Sequence, residues 1–131
     1  MSFIHALLVF LIRLTRSLVS DYKPERWCVL KITPKDQKPL YKVFGVWYGG
    51  YAGADSWRLN SGITKVTKVG LEYLFYGSSG SIYNCYDVSY GTNMYGKSIL
   101  EQLIDKVESN GGTIEILPEE TNWSEIDYEN P

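Results

Sequence analysis

The sequence predicts an α+β fold: a small, strongly curved antiparallel sheet or SH3-like/OB-like barrel with one C-terminal helix, preceded by an N-terminal amphipathic helix. Three observations lead there. Short β-branched and aromatic runs alternate with Gly-, Pro- and Ser-rich turns between residues 27 and 88. One later segment carries a helical period. The length of 131 residues suits one hydrophobic core, with no linker or internal repeat to divide it.

The elements follow in order. MSFIHALLVFLIRLTRSLVS, residues 1–20, places Ser2, His5, Arg13, Arg16, Ser17 and Ser20 on one side of a helical wheel and most Phe, Leu and Ile opposite. Its apolar run of ten residues, Phe3 to Ile12, is about half of what crosses a bilayer. Three readings stay open: a helix docked on its own domain or on a partner, a membrane-surface anchor, and an unordered stretch upstream of the natural start. Two arginines are few for stable anchoring.

After a turn-like Asp21-Tyr22-Lys23-Pro24, WCVLKIT (27–33) reads as a strand and PKDQKP (34–39) as a polar turn. LYKVFGVWYG (40–49) is a strand apolar on both faces. Phe44, Val46 and Tyr48 lie on one face and Tyr41, Val43 and Trp47 on the other, as in a strand covered from two sides. SWRLN (56–60) resumes after a glycine loop, and Ser61-Gly62 marks a bulge or sharp bend. ITKVTK (63–68) and LEYLFYG (71–77) flank Val69-Gly70 as a hairpin, and GSSGS (77–81) turns into IYNCYDV (82–88).

The helix of this body, 21–118, is expected over 98–109. Ser98 and Glu101 have capping-box spacing, and Gly111-Gly112 supplies the stop. TIEIL (113–117) closes the body as a strand. Residues 119–131 form a tail with five acids, expected to be mostly mobile and tacked down by Trp123 if at all.

Composition narrows the chemistry. Net charge is −2 and the body is nearly neutral, which argues against phosphate-driven binding of nucleic acid; Lys31, Lys35, Lys38 and Lys42 leave room for weak binding. Cys28 and Cys85 stand apart, and His5 is the single histidine, so neither a zinc site nor a His-based dyad can be built in the body. The two thiols read as half-buried core residues, with a disulfide allowed by parity. Asp55, Glu72 and Asp87 fit no catalytic spacing; solvated or ion-paired roles, with Asp55 beside Arg58, suffice for them. No cofactor, metal or catalytic residue is expected.

VWYGGYAGADSWRLNSGI, Val46 to Ile63, holds two Trp, two Tyr and four Gly. Trp47 and Trp57 suit core positions on two strands. With Tyr48, Tyr51, Asp55, Arg58 and Asn60 beside them in a glycine-rich loop, the stretch also has the residue types enriched in binding hot spots. GSSGSIYNCY and VSYGTNMYG repeat the Gly/Ser/Tyr character, so three loops suggest one recognition surface.

At DSWRLNSGI (55–63) and FYGSSGSIYNCY (75–86) the chain resembles small uncharacterised accessory proteins of large tailed bacteriophages, over about residues 27–105. The resemblance brings no active site. It implies a protein that acts in the host cytoplasm by binding host factors. The expectation is therefore a non-enzymatic binding module that takes a host protein or small ligand through Trp47, Tyr48, Tyr51, Asp55, Trp57, Arg58 and Asn60. The alternatives are a weak single-stranded nucleic-acid-binding domain and a carboxylate-dependent enzyme. Location is expected to be cytoplasmic, with peripheral membrane contact through residues 1–20 as the variant.

Overall fold

A computed structural model describes residues 21–131 except Ala52. The expected N-terminal helix lies outside the described residues. The chain runs β1 (Asp21–Tyr22), β2 (Arg26–Thr33), β3 (Leu40–Trp47), β4 (Ser56–Leu59), β5 (Ile63–Val69), β6 (Glu72–Gly77), β7 (Ile82–Tyr86), a 3-10 turn (Asp87–Ser89), α1 (Met94–Ser109) and β8 (Thr113–Ile116).

These strands form two four-stranded sheets, ordered β1-β7-β6-β5 and β4-β3-β2-β8. All pairings are antiparallel except β1 with β7. The α+β class holds, whereas the single curved sheet or closed barrel does not. The reason lies in β2 and β3, which are apolar on both faces and need a cover on each. Trp27, Val29, Tyr41 and Val43 point to one side and meet Ile63, Phe75, Tyr83 and Cys85 of the other sheet. Cys28, Leu30, Phe44 and Val46 point to the opposite side and meet Leu100 of α1, with Ile99 and Leu103 packed alongside. The result is three layers: sheet, sheet and helix.

The chain passes between sheets three times, at two tight corners and, from β7 to β8, by way of the 3-10 turn and α1. After β1 it crosses through Pro24, which is fully buried. Gly45 of β3 makes that crossing possible, because a Cβ there would lie 2.8 Å from the Pro24 ring. The second corner is Ser61-Gly62, between β4 of one sheet and β5 of the other. Gly62 has φ +136, a conformation that suits glycine alone. The bend expected at this dipeptide is thus a change of sheet.

Helix α1 starts one turn earlier than Ser98. Asn93 is its N-cap and its side chain accepts the Gly96 N–H at 2.7 Å, taking the role assigned to Ser98. The β5–β6 hairpin turns on Gly70-Leu71, with Val69 opposite Glu72.

The acidic segment folds back onto the body instead of trailing as a mobile tail. Trp123 is only 2% exposed and packs against Trp27 and Phe75 edge-on and against Tyr90 in a stack, with ring centroids 5.7–6.2 Å apart. Tyr128 donates to the Trp123 carbonyl at 2.6 Å and meets Tyr41 edge-on. Three apolar anchors, Trp123, Ile126 and Tyr128, outweigh the charge of the residues between them. Trp123→Ala therefore leaves a large cavity between the sheets and is expected to cost about 3–5 kcal/mol in urea denaturation. A loss below about 1 kcal/mol, within the range of ordinary surface substitutions, would show that the segment is not part of the core.

Candidate functional site

The seven residues expected to form the contact surface take up different positions. Strand alternation divides them: Trp57 lies opposite Val46, while Arg58 lies opposite Gly45 and Ser56 opposite Trp47. Trp57 therefore faces the α1 side, stacked on Phe44 with centroids 5.7 Å apart and 38% exposed. Trp47 and Arg58 face the other sheet. The Trp47 indole donates to the Lys23 carbonyl at 2.9 Å and meets Tyr22 edge-on, which makes it a clamp on the first corner. Tyr48 is 47% exposed, and Tyr51 projects fully into solvent.

Asp55 does not pair with Arg58. Its carboxylate accepts the Gly49 N–H at 2.9 Å and lies 3.4 Å from the Asn93 amide nitrogen, tying the glycine loop to the start of α1. Glu72 and Asp87 engage Lys23 at 2.8 Å and Lys68 at 3.5 Å, both in partly exposed pairs. The three carboxylates thus serve separate local contacts. Among the described residues no three His, Cys, Asp or Glu side chains gather where a metal would bind, and no helix is long and apolar enough to cross a membrane.

Asn60 is buried, 2% exposed, and works at the second corner. Its backbone N–H donates to the Val43 carbonyl at 3.0 Å, and its side-chain Oδ1 accepts the Val43 N–H at 2.8 Å. The side chain thereby supplies the ladder bond that β4 cannot make where the chain leaves its sheet. Its Nδ2 has no hydrogen-bond partner among the described residues.

Arg58 and Asn60 line a cleft of about 280 Å³ together with Tyr22, Leu59, Ser61, Ser79, Ser81 and Tyr83. The end of β4 with its Ser61-Gly62 corner and the GSSGS turn, both singled out in the sequence, meet here, while the glycine loop at the other end of β4 contributes no lining residue. Ser61 Oγ accepts the Ser79 N–H at 2.9 Å, the Ser78 N–H donates to the Gly62 carbonyl at 2.9 Å, and the hydroxyls of Ser79 and Ser81 lie 3.3 Å apart. The Arg58 guanidinium lies 4.3 Å from the Tyr22 ring centroid, and Tyr22 packs on Tyr83 with centroids 5.0 Å apart. Tyr22, Ser61, Ser79, Ser81 and Tyr83 extend the expected set. Their Gly/Ser/Tyr composition was a signal, but their adjacency to Arg58 needs the corner at Gly62.

The third loop, VSYGTNMYG, has a structural role. The Tyr90 hydroxyl donates to the Leu117 carbonyl and receives the Val29 N–H at 3.3 Å, and Asn93 caps α1. No family model, curated protein or solved structure matches the chain, so the site rests on its own chemistry.

Neither thiol is placed for nucleophilic work. Cys28 lies on the helix side of β2 and Cys85 between the sheets; both are buried and unpaired. Burial pushes Cys28 from 9.0 up to about 12 and Cys85 well above its ordinary value. Burial likewise raises Tyr83 from 10.0 to about 12, against the opposing pull of Arg58, and raises Tyr90 and Tyr128. These groups hold their protons more tightly in the fold than in the unfolded chain. Their contribution is fully present below about pH 9 and is lost as pH rises through the folded values. Denaturation midpoints are expected to stay level from about pH 7 to 9 and to fall steadily above it. A midpoint that holds or rises between about pH 9 and 11 would contradict the burial of these hydroxyls and thiols.

Proposed function

We propose that the protein is a binding module, and that it recognises a polar group on a host protein or a free small ligand in the cleft between the Arg58–Ser61 corner and the GSSGS turn. In this reading it is a phage accessory protein acting in the host cytoplasm. One observation carries the proposal: Arg58, Asn60 and Ser61 converge with Ser79, Ser81 and Tyr83, from a turn some twenty residues away, around a concave surface with hydrogen-bonding capacity to spare. Concavity with a few convergent polar groups is the usual form of a small-ligand site. Tyr48 and Tyr51, exposed on the glycine loop before β4, supply rigid aromatic area for a larger partner.

The exposed positions of Tyr51 and Arg58 make them suitable probes, since neither side chain supports the core. Host lysate is passed over immobilised wild type and a Tyr51→Ala, Arg58→Ala double variant, and the retained proteins and small molecules are compared by mass spectrometry. The expected result is at least one species held by wild type and reduced about tenfold or more on the variant, the loss of roughly 1.4 kcal/mol of contact. Identical retained sets would remove this surface from the function.

A further inference from the structure

We propose that the group recognised in the cleft is a single carboxylate, carried by a small organic acid or by the C-terminus of a peptide chain. The proposal rests on the binding-module reading and deepens it.

The charge of the lining comes first. Arg58 is its one ionic side chain; the other seven residues are Tyr22, Leu59, Asn60, Ser61, Ser79, Ser81 and Tyr83. The described ion pairs engage Lys23 and Lys68 and leave the Arg58 guanidinium to its cation–π contact with Tyr22. A guanidinium held against a ring keeps its N–H edge available, and that planar edge matches a carboxylate with two parallel hydrogen bonds.

Hydrogen bonding points the same way. Asn60 Nδ2 is a buried donor without a partner among the described residues, on a side chain fixed by its Oδ1 bond to the Val43 N–H. Ser61 Oγ already accepts from the Ser79 N–H, so its own proton is free to donate outward. The Ser79 and Ser81 hydroxyls can satisfy each other with one proton, leaving the second for a ligand. Tyr83 is a neutral phenol at physiological pH, as an ordinary tyrosine is, and burial pushes its value further up, to about 12. Surplus donors beside one cation call for an acceptor-only, negatively charged group. Nδ2 is shielded from solvent, so a bond to it requires the cleft wall to open.

Charge number and size select among anions. One guanidinium balances one negative charge, whereas a phosphate monoester at neutral pH brings nearly two. About 280 Å³, flanked by the Tyr22 and Tyr83 rings, admits a carboxylate with a short chain behind it. Free acids and chain termini share this chemistry.

The test is titration of the full chain, followed by 1H–15N NMR at the Asn60 side-chain amide and the Arg58 Nε–H. Probes are acetate, its neutral isostere acetamide, N-acetyl-triglycine with a free or an amidated C-terminus, and inorganic phosphate. Acetate is expected to shift both signals saturably in the millimolar range, with acetamide moving neither. Arg58→Gln should weaken acetate about tenfold or more, and Arg58→Lys should fall between, since it keeps the charge and loses the fork. Asn60→Asp keeps the Val43 bond and places a negative charge at the floor; it should abolish binding while the protein stays folded by circular dichroism. If that variant unfolds, Arg58→Gln alone decides. Tighter binding of the tripeptide acid than of acetate, with the amide inert, assigns a chain terminus; equal binding assigns a small acid.

No saturable shift with any carboxylate, equal shifts from acetate and acetamide, or tighter binding of phosphate would each overturn the proposal. If the carboxylates fail while the lysate comparison still separates wild type from the double variant, the carboxylate assignment falls and the binding reading stands. If both fail, both fall.

Discussion

Strands β2 and β3 are apolar on both faces, and the rest of the molecule is arranged to cover them. A two-stranded ribbon bearing Trp27, Val29, Tyr41 and Val43 on one side and Cys28, Leu30, Phe44 and Val46 on the other cannot leave either side in water. One face takes the second sheet and the folded-back C-terminal segment. The other takes α1. Trp27 is the densest point of this arrangement: its ring meets Tyr73, Phe75, Tyr90 and Trp123, and its indole N–H donates to the Tyr86 carbonyl at 2.6 Å. A fully buried indole needs such a partner, and the carbonyl that supplies it lies at the end of β7 in the opposite sheet. One side chain therefore fixes the spacing of the two sheets.

The cleft is a consequence of that layering. Covering the ribbon with a sheet made from the same chain forces the backbone to leave one sheet and enter the other. At such a corner regular ladder bonds run out. Asn60 replaces the missing bond with its side chain, and Gly62 turns the chain in a conformation closed to other residues. The corner then meets the Gly77–Ser81 turn, and two backbone contacts there, Ser78 N–H to Gly62 and Ser79 N–H to Ser61 Oγ, hold the two loops in register. The polar side chains of the corner converge because the backbone does. The cleft built this way sits on the framework of the two sheets, while Tyr48 and Tyr51 stand exposed on the glycine loop at the other end of β4.

How much of this the sequence displays follows from the range of each interaction. Strands β2 to β7 are legible because alternation and glycine punctuation act over a few neighbouring residues. The double cover of β3 is legible for the same reason, since Tyr41, Val43 and Phe44, Val46 alternate without a polar face. The barrel expectation fails because short strands with glycine corners suit one closed sheet and two open ones equally; the choice is made by contacts between distant segments, such as Trp27 with Phe75. The early start of α1 is hidden because Asn93 precedes a glycine-containing first turn, which lowers helix propensity, and Ser98 offers a competing cap pattern. In the 119–131 segment Trp123 stands out as an anchor, but charge density masks Ile126 and Tyr128, spaced too irregularly to show a period. Within the candidate site the directions of the side chains are hidden from the sequence: Trp57 and Arg58 are neighbours that point to opposite faces, and Asn60 looks exposed in composition yet closes the corner from inside.

The central claim is that the floor of the cleft is continuous with the doubly covered ribbon. Hydrogen exchange at one amide tests it most directly, because the Val43 N–H is bonded to the Asn60 side chain and not to a strand backbone. If the corner is part of the framework, Val43 exchanges only through global unfolding, at the same slow rate as the buried amides of Cys28 and Phe44, which face each other in the β2–β3 ladder. Exchange at Val43 faster by about a hundredfold or more, with Cys28 and Phe44 still protected, would mean that the corner opens locally and that the cleft is not held by the core.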